Sequence, residues 1–466
     1  MISALLASFI IYFVALISIG FYFYRHDQTA DEFMLGNRSV NYWVTAVATQ
    51  ASDMGSWLFL GFPAVVFTSG MFQLWTAIGL IVGMFLTWTF VAPTLRAKTA
   101  QLDSLTLSSY FAHCFSDSTG KIQLISTLFA LIFFIFYIAS GLIGLSVVFS
   151  GAFGLSYQTG IIISLCTAAL YTLVGGFVAV AWCDFFQGIF LLVMITAVPI
   201  AALFSMGGID PIIAMAHEKG ISLSLLGSPY ETVSAIFLAA SWGLGYFGQP
   251  HILVNFMGID NPDNIRFARR VGVSWQLMVL LSSAALGLVA IGYFGLQPVN
   301  SEEIFILLTK SLFHPFFAGL ILCAVFAATL STMDSLILVA GSLIAQDIYK
   351  QFLNRNANTK QILLVSRFAS VGISLIALIF AWHQNVTIYG LVNYAWSGLG
   401  STFGPLIIAS ILSENIRSQA AFYGLIAGGV TAALWPLFFD MLPLVPGFSM
   451  GLLTIFVCNI FFDKND

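Results

Sequence analysis

Three carboxylates interrupt stretches that are otherwise apolar. Asp53 lies in "QASDMGSWL" (residues 50–58), Asp184 in "AWCDFFQG" (181–188) and Asp334 in "ATLSTMDSLIL" (328–338). No lysine or arginine lies deep in the same stretches. An aspartate at the centre of a bilayer costs about 2.5–3.5 kcal/mol and needs a partner. Since the chain offers no cation there, the partner is an external ion, or the carboxyl is protonated. Either implies ion coupling.

The surroundings of Asp334 favour sodium over a proton. Ala328, Ser331 and Thr332 stand at i, i+3 and i+4 and share one face of a helix; Ser331, Asp334 and Ser335 share the adjoining face. A small, hard cation takes several oxygens, which hydroxyls and free backbone carbonyls supply, whereas a proton needs one carboxylate. The same hydroxyls could instead bond back to their own helix, four residues earlier.

These residues must be held by membrane helices. Of 466 residues, 59% are hydrophobic and 8% charged, against about 25% charged in soluble domains. Such a chain cannot clothe a water-soluble surface and reads as an all-α integral membrane protein in a lipid bilayer. A span takes roughly 20 apolar residues. Thirteen are expected, at 3–24, 41–68, 70–95, 121–150, 156–180, 184–206, 231–257, 270–296, 311–345, 361–382, 385–413, 418–440 and 443–462. The first lacks a basic lead-in and a cleavage site, and is expected to be a retained span.

With the N-terminus outside, fourteen basic residues fall inside: Arg25, Arg38, Arg96, Lys98, Lys121, Arg266, Arg269, Arg270, Lys350, Arg355, Lys360, Arg367, Arg417 and Lys464. Only Lys219 and Lys310 fall outside, a strong positive-inside bias that places the C-terminus inside. The net charge of −4 is spread over loops and makes no basic stripe for nucleic acid. The five cysteines and six histidines form no metal-binding spacing.

Two spans carry helix breakers. The second contains Gly55 beside Asp53; the seventh, "AASWGLGYFGQPHILV", holds Gly243, Gly245, Gly248 and Pro250. Each glycine costs a helix about 1 kcal/mol and a mid-helix proline about 3. Freed backbone at membrane depth survives only where protein or a water-lined cavity satisfies it. Spans two and seven are an odd number apart and cross in opposite directions. Interrupted helices at matching places in two inverted halves mark the binding site of a secondary transporter. The alternative is that these glycines only let helices pack closely.

Four stretches, "ASDMGSWLFLGFPAVVF", "YTLVGGFVAVAWCDFFQG", "SWGLGYFGQPHILVNFMGIDNPDNIRFARR" and "FGPLIIASIL", resemble the sodium:solute symporter family, and its proline-carrying members above all, over nearly the whole length. The resemblance implies a single transporter domain with a five-plus-five inverted-repeat core of the leucine-transporter type. Its first repeat would cover about 41–206 (spans two to six) and its second about 231–413 (spans seven to eleven), with span one and spans twelve and thirteen peripheral. It implies a sodium site from backbone oxygens of Ala51, Met54 and Ala328 with hydroxyls of Ser331 and Thr332, and a sodium-binding role for Asp53. A second sodium site would use Asp184, Ser331, Asp334 and Ser335, and Arg38 would serve coupling. Gly55, Ser56, Trp57, Trp242, Tyr246 and Pro250 would hold substrate.

The function so implied is sodium-driven import of proline or a similar small amino acid across a bacterial cytoplasmic membrane, with sodium as coupling ion and no cofactor. The proline-carrying members read Asp-Met-Ser-Gly-Trp where this chain reads Asp53-Met54-Gly55-Ser56-Trp57, which keeps another small carboxylate, such as pantothenate, open. A pocket walled by Trp242 and Tyr246 suits a small, partly apolar zwitterion. An enzyme would need a nucleophile, base or metal cluster at one depth, and none is legible. A sensor would need a signalling module, and none is legible in these residues.

Overall fold

Apolar residues surround the helices of this chain, so burial separates them more than hydropathy does. In the computed structural model, residues 2–23, 29–174, 176–226, 229–383, 386–413 and 415–461 are described. Arg25, Gly175 and Lys464 lie outside them. The described residues form helices joined by short connections, with one isolated parallel bridge, Val40 to Ile259. Ten helices among them are long and apolar enough to cross a membrane.

The innermost are Pro315–Leu353 and Ile388–Leu412, each with 83% of its apolar window buried. Ser3–Phe23 and Leu444–Phe461 are as apolar but only 28% buried. Their outward residues, such as Val14 and Ile460, are 58% and 77% exposed, surface that only lipid tolerates.

Three of the expected thirteen are not among the ten: segment 156–180 is the helix Tyr157–Val174, and the other two are broken. Segment 41–68 divides into Tyr42–Ala51, a non-helical stretch and a π turn, and Phe62–Ser69. Asn41 starts the first half by accepting from the N–H of Val44. Gly55 lies in the non-helical stretch, where a Cβ would stand in ordinary contact, 3.4 Å from Thr332 Oγ1. Segment 231–257 divides into Pro229–Gly243, a 3₁₀ turn Leu244–Gly248, and Pro250–Met257. Gln249 is extended (φ −95°, ψ 101°), as the residue before a proline prefers. Gly245 touches Trp396 so closely that a Cβ would fall 1.9 Å from Nε1.

The span expected to begin at Asp184 begins instead at Phe177 and runs to Ser205. Asp184 therefore lies about two turns inside a helix. Its charge marks no helix end, because hydroxyls from neighbouring helices receive it.

The start of the first broken helix lies beside the end of the second. Val40 N–H donates to Gly258 O (3.2 Å) and Asp260 N–H donates to Val40 O (2.9 Å). Trp57 stacks on Trp242 (5.7 Å, 26°). The two interruptions thus face each other, with the helix Pro315–Leu343 against the first.

Candidate functional site

A helix that ends leaves its last carbonyls without intrahelical partners. The helix Tyr42–Ala51 ends inside the protein, and Ser331 Oγ lies 2.9 Å from Ala51 O. The same hydroxyl is 2.9 Å from Ala328 O, and Thr332 Oγ1 is 3.1 Å from that carbonyl. Each hydroxyl proton can rest on its own helix while the oxygen lone pairs stay available. Ala51 O, Ala328 O, Ser331 Oγ and Thr332 Oγ1 thus form one buried oxygen patch. Met54 is buried beside it, its N–H 3.3 Å from Ala51 O. This donor set, without soft ligands, fits an alkali cation.

The second group lies on the other side of the break. Ser52 Oγ is 3.0 Å from Asp184 Oδ2; Ser335 Oγ is 3.1 Å from Ser52 Oγ and 3.4 Å from Asp184 Oδ2. Asp184 Oδ1 and Asp334 Oδ2 are buried with no hydrogen-bond partner. Ser331 was expected here, but its hydroxyl is engaged on Ala51 and Ala328. Ser52 takes that place. The serine beside Ala51 in "QASDM" was the available signal.

Asp53 is held differently from the expectation. Its Oδ2 accepts a hydrogen bond from the Tyr246 hydroxyl, which accepts in turn from Gln276 Nε2 at 2.6 Å. Among the described residues, no hydrogen bond joins its side chain to Ser331 or Thr332, and its Oδ1 has no partner. Its backbone carbonyl accepts from Trp57 Nε1 (3.1 Å) and Tyr137 OH (3.4 Å). Asp53 ties the first interruption to the second. Gln276 and Tyr137 were missed; an amide and a phenol in apolar spans were their only signals.

Gly55, Ser56 and Trp57 line a small cavity with Tyr137, Ser140, Thr332 and Met333. Ser56 Oγ is 3.4 Å from Ser140 O. Trp242 bounds this wall through its stack on Trp57, and Tyr246 stands edge-on to Trp396 (4.9 Å, 89°). Pro250 does not belong to it. The extended Gln249 carries it past the aromatic cluster to another cavity, lined by Met34, Ser108, Ser342 and Phe403.

Arg38 lies away from both ion groups. Its Nη1 donates to Met257 O (3.1 Å) and its Nη2 to Thr99 O (3.0 Å) and Ser104 O (3.1 Å). It clamps the end of the second broken helix where Val40 bridges Gly258 and Asp260.

Two interrupted helices facing one another, with buried oxygens between the first and a central helix, make a secondary-transporter architecture. Over 98% of both chains, the fold is similar (TM-score 0.84, 19% identity) to that of a Na+-coupled sialic acid symporter in a substrate-bound outward-open state. The family model of the sodium:solute symporter family matches residues 33–428. The high-affinity proline transporter PutP of Bacillus subtilis (strain 168) is 36% identical over 95% of each chain. The sodium/proline symporter of Escherichia coli (strain K12) is 36% identical over 98% of this chain and 93% of its own. This chain belongs to the sodium:solute symporter family.

Proposed function

We propose that this multi-pass membrane protein is a sodium-coupled symporter importing proline, or a similar small amino acid, across a bacterial cytoplasmic membrane. The carrying observation is the contact of Ser331 with Ala51: the proposed ion ligands of a central helix meet the last carbonyl of the broken helix's first half. Sodium there holds the break in the shape that completes the cavity at Gly55, Ser56 and Trp57. Substrate affinity therefore rises with sodium, and by linkage sodium affinity rises with substrate. The 36% identity to proline carriers over nearly the whole length supports the cargo. Gly55 departs from the motif that the resemblance implies, but the neighbouring Ser56 lines the same cavity, which keeps a hydroxyl at the pocket.

Counting each broken helix as one crossing and adding the helix Tyr157–Val174 to the ten gives the thirteen-span reading, with the N-terminus outside and inverted repeats at about 41–206 and 231–413. The bridge between the start of one broken helix and the end of the other supports opposite orientation. The unpartnered oxygens of Asp184 and Asp334, beside Ser52 and Ser335, support a second sodium ion. One charge crossing 100 mV yields about 2.3 kcal/mol, and a tenfold sodium gradient adds about 1.4 kcal/mol.

Competition in proteoliposomes tests the cargo. Unlabelled proline should displace labelled proline under a sodium gradient, and pantothenate should not. Displacement by pantothenate but not by other amino acids would reassign the substrate.

A further inference from the structure

Resting on that reading of the site, we propose that Asp53 Oδ1 and Gln276 Oε1 are the two acceptors for the ammonium group of the substrate, with the Tyr246 hydroxyl fixing both. Asp53 and Gln276 are completely buried, and each has one oxygen without a hydrogen-bond partner. The other polar atom of each group is on Tyr246, which donates to Asp53 Oδ2 and accepts from Gln276 Nε2 at 2.6 Å. One hydroxyl therefore orients a carboxylate and an amide together and leaves a free acceptor on each.

Buried acceptors left unpaired are costly, and an ionised one more so. Their occupant must bring donors or positive charge. A sodium ion takes several oxygens, and such a set is already assembled at Ala51, Ala328, Ser331 and Thr332. A cyclic secondary ammonium carries two N–H groups, one for each free oxygen. Its ring is apolar, and the Trp57–Trp242 stack and the Tyr246–Trp396 pair offer aromatic faces beside the same break. Asp53 is thereby a substrate-contact residue that joins the two interrupted helices, and Gln276 determines specificity. The sodium dependence of a variant at Asp53 would be inherited through substrate linkage.

The test compares competitors that differ only at nitrogen, against labelled proline uptake driven by sodium in proteoliposomes. On the unaltered protein, N-methylproline should compete about tenfold or more weakly than proline, because one charged hydrogen bond is lost. The cyclic ether tetrahydrofuran-2-carboxylate should be weaker again. In Gln276→Leu the preference for proline over N-methylproline should fall by about tenfold, since a methyl group meets leucine as well as an N–H would. Sodium binding without substrate, read by tryptophan fluorescence, should stay within about threefold of the unaltered protein, which also reports folding.

Equal competition by proline and N-methylproline in the unaltered protein would overturn the proposal. So would a Gln276→Leu variant that keeps the full preference, or one that loses substrate-free sodium affinity as much as proline affinity; the last would make these oxygens a cation site. Absence of any sodium-dependent proline uptake would instead defeat the transport reading, and this inference with it.

Discussion

Ser331 Oγ and Ala51 O stand 2.9 Å apart, although 280 residues separate them in the chain. One belongs to a helix interior and the other to a helix end. In the proposed mechanism an ion bound between them holds the two elements together, beside the hydroxyl contact of Ser335 with Ser52.

Ser331→Ala and Thr332→Ala should each raise the sodium concentration for half-maximal uptake by about tenfold or more, since each removes a ligand to a charged species. The amount of protein in the membrane should stay close to normal, because a small hydroxyl is replaced by a small apolar group. Uptake against sodium concentration, normalised to membrane protein, checks this. Unchanged sodium dependence would remove both residues from the site.

Asp334→Asn should lower the charge moved per substrate. A second sodium ion contributes about 2.3 kcal/mol per 100 mV of its own, so its loss lowers the coupling ratio by about one ion. Parallel fluxes of labelled sodium and substrate in the same vesicles measure it. A ratio identical in both proteins would leave Asp184 and Asp334 as structural carboxylates.

Gly245→Ala should destabilise the fold by about 1–3 kcal/mol or more, because the new methyl lands on the Trp396 indole. Thermal unfolding in detergent checks this. Normal stability would mean that the second interruption can shift away from the helix Ile388–Leu412.

Arg38→Ala removes the clamp on Met257, Thr99 and Ser104. The loss of even one net hydrogen bond of about 1 kcal/mol makes an open state roughly fivefold more populated. A Ser342→Cys reporter faces the cavity near Pro250, and a thiol reagent should label it about fivefold faster in the Arg38→Ala background. An unchanged labelling rate would show that the Val40–Ile259 bridge and the Arg96 contact with Ile259 O keep that side closed without Arg38.

The grouping of oxygens on the Pro315–Leu343 helix was legible because a helix turns by a fixed angle, so Ser331 and Thr332 had to share a neighbourhood with Ala328. What they meet across the interface was not legible. Periodicity assigns a face to a residue but says nothing of the partner, which is why Ser52 was missed and Ser331 was assigned to both ion groups. Asp53 shows the same limit. Its burial in an apolar span was plain, but the hydroxyl that holds it comes from 193 residues away. Asp184 misled in the opposite sense, since a charge in an apolar run looks like a helix end until its hydroxyl partners are seen. Pro250 was grouped with Tyr246 by the family resemblance, and one extended residue, Gln249, carries it to a separate cavity away from the aromatic cluster.

The most direct test of sodium coupling is the initial rate of labelled proline uptake into proteoliposomes with sodium chloride outside, against choline chloride at the same ionic strength and no pH difference. Sodium bound between the broken helix and its neighbour predicts a rate at least about tenfold higher with sodium, and accumulation above the outside concentration. Equal rates and equal accumulation in choline would contradict it.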